Sequence, residues 1–428
     1  MKHTVTEHQL NSGAKGLLVD VPGSGVVNIL IRFNSGFQFG DMNYYELPHV
    51  LEHLIADGGT PTYPNSNQFA TEMEKNGASF NANTSSRYNG YEVTCAEFEL
   101  DRILELVDEW LTAPLLPETA FATEVGNVRE ELTRNTTNYG SVSALAFLEK
   151  IYPRKNLNSD TRIEQLPGIT IDMARSHYKT THTAKNARFY LCGAVGEHAG
   201  AILVKLEALF AKLPAGERAQ PDFGSGLGVA EPILVKKDIK QLYYNFGIFN
   251  VGVDDSRDFA LNRLGSVLFG GWNSRVFGEA RRRGIAYGVS GGGEGDTFSS
   301  SFEVGGNVSE ANALELMKLV ADQVKAVAAG DLTAEELEAS KERVIGHRAI
   351  SHQTAGALGN YYLGLYDTEE RIRPYDGELA QIRATTVAEV TEAAKFMLSS
   401  NQWAVSWLGD LDEAKAELYT QPLREMFK

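Results

Sequence analysis

The sequence predicts an α+β protein built as two homologous halves in tandem. Its 428 residues, at about 150 per domain, give two to three domains. Strand-like and helix-like segments alternate along the chain. Two parts of the pattern also recur. NARFYLCGAVG (186–196) and NQWAVSWLGDL (401–411) both begin with Asn, run through an alternating apolar strand and reach Gly193 and Gly409. Both are followed by a helical stretch rich in Ala, Leu and Lys. A strand followed by a helix that ends in Gly-Gly occupies 25–59 and recurs over 241–271. Asn186 and Asn401 are offset by 215, and Gly58 and Gly270 by 212, so the copies are nearly equal in length. PAGERAQPDFGSGLG (214–228) lies between them and reads as a linker. The expected domains are 1–214, a linker over 215–228, and 229–428.

Within the first half each element has a local reason. GVVNILIRF (25–33) is a buried strand, β-branched and bounded by glycine. ELPHVLEHLIADGG (46–59) is a helix, with Pro48 in its first turn and Gly58-Gly59 at its end. SNQFATEMEKNGA (66–78) is a second helix, with Ser66 as the cap candidate and Gly77 at the C-terminal end. SFNANTSSRYNGYEVTC (79–95) reads as two strands joined by a polar turn. LDRILELVDEWLTAPLLP (100–117) is an amphipathic helix stopped by proline, and another long helix follows to about residue 135. In the second half, GVSGGGEGD (288–296) follows neither a P-loop nor a dinucleotide-binding pattern and reads as a flexible turn. Trp403 and Trp407 alternate in a strand and read as core.

Composition excludes several classes of function. Forty basic and 56 acidic residues give a net charge of −16, which argues against a nucleic-acid or anionic-membrane surface. The two cysteines, Cys95 and Cys192, cannot make a disulfide framework or an all-cysteine zinc site, and they read as buried thiols. No apolar run has the length of a membrane span, and the start has no apolar signal region. The expected location is the cytoplasm.

The chemistry concentrates in HVLEH. His49, Glu52 and His53 stand at i, i+3 and i+4, on one helical face. Two imidazoles one turn apart can chelate one zinc ion, and a carboxylate beside them can take a proton from the attacking water. The order inverts the H-E-x-x-H motif. Histidines flanking a surface glutamate are also common, so a third ligand matters. PETAFATEVGNVREELTRN supplies candidates. Phe121, Val125, Val128 and Leu132 form its apolar stripe. At about 100° per residue, Glu124 and Glu131 share one shoulder of that stripe, and Glu130 faces solvent. Helical geometry thus favours Glu131 over Glu130 as an inward-facing ligand, with Glu124 placed to orient a ligand from behind; the alternative is that both glutamates are ordinary border charges. His177, His182 and His198 are not at ligand spacing.

HVLEH, followed by Glu124 and Glu131 in E-x6-E, resembles the inverzincin metallopeptidases: the insulinases, pitrilysin and the mitochondrial processing peptidases. GASFNANTSSRYNGYEV, SHYKTTHTAKNARFYLCGAVG and VFGEARRRGIAYGVS extend the likeness over nearly the whole chain. The resemblance implies two α+β halves facing each other across a cavity. It implies one Zn2+ per chain on His49, His53 and Glu131, with Glu52 as general base and Glu124 as supporting carboxylate. Tyr287 matches the tyrosine that polarises the scissile carbonyl or steadies the tetrahedral intermediate. The arginine partner usually stands seven residues earlier, where this chain has Ala280. Arg281, Arg282 and Arg283 follow, and Arg281 is taken on the assumption of a one-residue deletion. Phe80, Asn81, Ala82 and Asn83 match the edge strand on which an unfolded peptide would lie. Placing Gly58-Gly59 on Gly270-Gly271 sets Leu261, Leu264 and Gly265 at the positions of His49, Glu52 and His53, so the second half has no metal ligands there.

The resemblance implies a zinc endopeptidase for unfolded peptides. The alternatives are a non-catalytic or partner-dependent subunit of a peptidase complex, or a metal-storage protein. An intact HVLEH argues against the first, and the retained Glu52 against the second. Full-length insulinases carry four such halves and this chain has two, so a homodimer, or a heterodimer with a sister chain, is expected.

Overall fold

The computed structural model describes residues 2–152, 156–220, 228–251, 255–295 and 299–428. The chain forms two compact units. The first comprises Met1–Arg134, Asp160–Asp222 and Ile350–Glu370; the second comprises Asn135–Ser159, Phe223–Ala349 and Arg371–Lys428. These units differ from a simple division into 1–214 and 229–428, because each takes a helical segment from the other half of the sequence. The expected linker also changes. Ala184 N–H donates to Pro214 O (2.8 Å) and Lys185 N–H to Ala215 O (3.0 Å), so its first residues are bonded to the first unit. Residues 221–227 lie outside the described residues.

The first unit is built on one sheet of β1 (Thr4–Gln9), β2 (Lys15–Asp20), β3 (Val26–Phe33), β4 (Ser79–Thr84), β5 (Asn89–Ala96) and β6 (Ala187–Gly193). Its order is β1-β2-β6-β3-β5-β4. β2 and β6 run parallel; the other neighbours are antiparallel. Alternation divides β3 between two faces. Val27, Ile29, Ile31 and Phe33 enter the main core with Leu51 and Leu54 of the helix Leu47–Asp57 and Trp110 of the helix Leu100–Thr112. Each fully buried aliphatic side chain contributes roughly 1.5–3 kcal/mol.

Asn28 and Arg32 point to the opposite face, beneath the helix Ala355–Glu369 contributed by the second half of the sequence. Gly359 of that helix faces the sheet, where a Cβ would make ordinary contact, 3.4 Å from Cys192 Cβ. The far end of the segment is fastened by charge. Asp367 pairs with Arg32 (2.7 Å) and accepts from the Tyr190 hydroxyl (2.7 Å), while Glu370 pairs with Arg188 and with Lys15 (2.9 Å).

The second unit contains β7 (Ile233–Lys236), β8 (Gln241–Val251), β9 (Gly288–Gly295), β10 (Ser299–Ser309) and β11 (Gln402–Gly409). Their order is β7-β11-β8-β10-β9, with β7 parallel to β11 and the other neighbours antiparallel. This repeats β2-β6-β3-β5-β4 strand for strand. The duplication read from two glycine-ended motifs is thus a duplication of topology. The loaned helix here is Tyr139–Ile151, which packs Phe147 and Ile151 against Phe249 and Ala404.

Two local expectations are corrected. The cap of the helix Ser66–Glu74 is Asn65, whose side chain accepts from Asn67 N–H (2.9 Å), and not Ser66. The glycine-rich stretch is no turn: residues 288–295 form the edge strand β9, and Asp296 lies outside the described residues. The glycines serve close packing. A Cβ on Gly265, in the helix Asp255–Phe269, would lie 2.5 Å from Gly292 Cα, and one on Gly293 would lie 2.8 Å from Leu261 Cβ.

Candidate metal and peptide site

The helix Leu47–Asp57 buries Val50, Leu51, Leu54 and Ile55, which fixes its rotation about its axis. That rotation turns His49, Glu52 and His53 to a cavity of about 480 Å³ between the helix and β4. The helix stops at Gly58, and Gly59 follows at φ 76°, a left-handed turn that favours glycine. Aromatic packing holds the strand side of the cavity. Phe80 packs edge-on to Trp110 (5.6 Å between ring centroids) and to Phe69 (6.0 Å), and Trp110 Nε1–H donates to Ile55 O (2.9 Å). β4 forms an edge of the sheet, bonded to β5 on one side only.

Glu131 reaches the cavity from the helix Glu118–Asn135. His49 Nε2 is 3.4 Å from its Oε2, and His53 Nε2 is 3.8 Å from its Oε1. Ligand-capable atoms of His49, His53 and Glu131 all lie within 4.8 Å of one another. The other ring nitrogens are occupied. His49 Nδ1 bonds Glu46 (2.8 Å) and His53 Nδ1 bonds Glu124 (3.2 Å). A carboxylate only accepts, so each Nδ1 carries the proton, and each Nε2 is left to a metal. Two imidazole nitrogens and one carboxylate, with their rings oriented from behind, fit the donor set of a catalytic zinc centre.

Glu52 is 7% exposed and accepts from the Thr84 hydroxyl (3.4 Å). Burial raises its pKa above the ordinary carboxylate value, against the pull of His49 and His53, which makes it a stronger base. Burial opposes the protonation of His49, but hydrogen bonds to Glu131 and Glu46 outweigh it and raise its pKa to about 9. The His49 hydrogen bond is the main cause that lowers the pKa of Glu131. Burial of Glu124 is outweighed by its bonds with His53 and Asn127, which hold it ionised.

The structure brings His49, Glu52, His53, Glu131 and the strand residues Phe80, Asn81, Ala82 and Asn83 around one cavity, with Glu124 behind His53. Glu130 is exposed, as the helical register requires. Glu131→Gln is therefore expected to weaken zinc binding, while Glu130→Gln leaves zinc content unchanged. Metal analysis of the two variants checks this; reversed phenotypes would overturn the assignment. Glu46 was not anticipated. It is fully buried, is held by Arg162 (2.5 Å) and orients His49. Its only sequence signal is its place one turn before His49.

Arg281 and Tyr287 belong to the second unit. The Arg281 guanidinium lies 4.1 Å from the Tyr287 ring centroid, and Nη1–H donates to Tyr287 O (3.2 Å). Arg282 and Arg283 instead pair with Glu279. Of the three neighbouring arginines, Arg281 is the one stacked on the tyrosine. His177 and His182 are buried and structural: His177 Nε2 bonds Ser35 O (2.9 Å), and His182 Nε2 bonds the Tyr91 hydroxyl (2.8 Å).

A duplicated α+β fold, with inverted His-x-x-Glu-His on a helix and a distant glutamate beside it, defines a peptidase-type scaffold. Residues 17–163 match the family model described as Insulinase (Peptidase family M16), and residues 168–344 match that described as Peptidase M16 inactive domain. The chain belongs to the insulinase, or M16, family. An uncharacterized zinc protease of Streptomyces coelicolor is 23% identical over 380 residues, covering 86% of this chain and 81% of the relative. The insulin-degrading enzyme of Drosophila melanogaster is 30% identical over 127 residues, 30% of this chain and 13% of that enzyme. The fold matches a Pseudomonas fluorescens structure described as a peptidase M16 inactive domain, with TM-score 0.85, 17% identity and coverage of 96% of this chain and 98% of that one. It also matches a protease from Helicobacter pylori, with TM-score 0.81, 20% identity and coverage of 95% and 99%. Among the described residues no helix is long and apolar enough to cross a membrane.

Proposed function

We propose that this chain is a zinc-dependent endopeptidase that hydrolyses unfolded peptides. The observation that carries the reading is the single cavity shared by a three-donor cluster, a buried glutamate and an open strand edge. The relatives named zinc proteases support it. His49, His53 and Glu131 hold the metal. Bound there, zinc supplies a Lewis acid that polarises water and the scissile carbonyl. An extended peptide pairs with the free edge of β4 through main-chain bonds, which tolerates many sequences. Glu52 takes a proton from the attacking water and passes it to the leaving amine. The family resemblance gives Tyr287 the hydrogen bond from its phenolic hydroxyl to the developing oxyanion, with Arg281 as its arginine partner in binding the peptide.

One zinc per chain follows from Leu261, Leu264 and Gly265, which stand in the second unit where the ligand helix has its donors. The working form in this reading is a pair of chains, identical or sister.

The test is an unstructured peptide of about ten to twenty residues, an order-of-magnitude length for an edge-strand site. The purified chain, alone or with its sister, cuts it; a chelator stops the cutting and added zinc restores it. Failure to cut any such peptide would favour the non-catalytic subunit, a reading that the neighbour described as an inactive domain supports.

A further inference from the structure

Trp272 follows the Gly270-Gly271 end of the helix Asp255–Phe269, and 65% of it is exposed. Tyr287 is 84% exposed. Between these two rings lies Arg281, whose guanidinium is 4.9 Å from the Trp272 ring centroid and 4.1 Å from that of Tyr287. Among the described residues no carboxylate pairs with Arg281, whereas its neighbours Arg282 and Arg283 are tied to Glu279.

The segment carrying Trp272 is firmly built. Ser274 N–H and Ser274 Oγ–H both donate to Gly271 O (3.0 and 2.7 Å), and Gly278 N–H donates to Ser274 Oγ (3.1 Å). A Cβ on Gly278 would lie 2.2 Å from Trp272 O, so only glycine allows the helix Phe277–Arg282 to approach this closely. The indole also packs edge-on to Phe277 at 6.1 Å.

We propose that Trp272 is a positioning residue: its indole holds the Arg281 guanidinium in place, charged and without a carboxylate partner, for a peptide carbonyl or carboxylate. The inference rests on the role given above to Arg281. A free arginine side chain loses much rotamer entropy when it engages a ligand. Packing against two rings incurs that loss in advance; Nη1 is bonded to Tyr287 O (3.2 Å), which leaves the other guanidinium donors for a ligand. Both rings are largely exposed, so a ligand can reach this cluster from solvent.

The experiment uses the full-length chain and two readouts. One is the Kd of a fluorescent peptide for the Glu52→Gln background, by anisotropy. The other is the split between kcat and KM in the active background. Trp272→Ala is expected to weaken peptide binding and raise KM about three- to tenfold, with zinc content and Tm unchanged. Trp272→Phe keeps a stacking face and restores most of the affinity. Arg281→Ala weakens binding at least as much, and Trp272→Ala added to it costs nothing further. Wild-type affinity in Trp272→Ala, with Arg281→Ala impaired, would overturn the positioning role alone. A silent Arg281→Ala, or no peptide binding at all, would overturn the role of Arg281 and this inference with it.

Discussion

Glu52→Gln is expected to keep the fold and the zinc while peptide turnover falls by about 10²–10⁴-fold, the usual effect of removing a general base. The loss can exceed that range, because in the proposed reaction the same carboxyl also returns the proton to the leaving amine. Three observations separate Glu52 from the proposed metal ligands His49, His53 and Glu131. Its Oε2 is 4.0 Å from His49 Nε2, it accepts from Thr84, and it is not part of the His49–His53–Glu131 cluster. Glutamine is nearly isosteric and still accepts from the Thr84 hydroxyl, so the cavity wall survives. β4 is untouched, so peptide affinity should persist while cleavage disappears. Full activity in Glu52→Gln, measured beside its metal content, would refute the assigned base.

The second large effect is loss of metal in His49→Ala and His53→Ala. Each removes one of three donors, and the equivalent positions of the second unit supply none. Removing a group behind a ligand, as in Glu46→Gln, typically weakens metal binding roughly 10–100-fold. Loss of a ligand itself should exceed that, taking the protein from about one zinc per chain to almost none after dialysis. Protons compete for the same nitrogens. The pKa of His49 is raised to about 9, so at neutral pH it must release a proton before it can bind metal through Nε2. Zinc affinity should therefore fall as pH decreases and rise toward pH 9. Full zinc occupancy in both alanine variants would remove the basis of the assigned centre.

The parts of this site legible in sequence are those that local periodicity controls. HVLEH places three side chains on one face of any helix it forms, and the stripe Phe121–Val125–Val128–Leu132 fixes which glutamate of the next long helix turns inward. The strand Ser79–Thr84 was legible as one of two strands joined by a polar turn, but its place at the sheet edge came only from the family resemblance. Glu46 was not, since its burial depends on Arg162, more than a hundred residues away. The glycines of β9 were misread for a related reason. Composition alone reads Gly-Gly-Gly as a turn, and only the helix lying against the strand shows that side chains there would collide. The exchanged helices were illegible in principle. Nothing in Ala355–Glu369 indicates that its packing partners lie in β3 and β6; Asp367 and Glu370 look like ordinary charges until Arg32, Arg188 and Tyr190 are beside them.

The exchange also sets an order on the birth of the protein. A ribosome makes the chain from its N-terminus, and domains usually fold as they emerge. Here the sheet beside the candidate metal site is complete at Gly193, but the helix that packs on its other face begins at Ala355, about 160 residues later. Until then Arg32, Arg188 and Tyr190 have no Asp367 or Glu370 to meet. The unit with the candidate metal site is thus completed only after most of the second unit has been synthesised, and each unit includes a segment from the other half of the sequence.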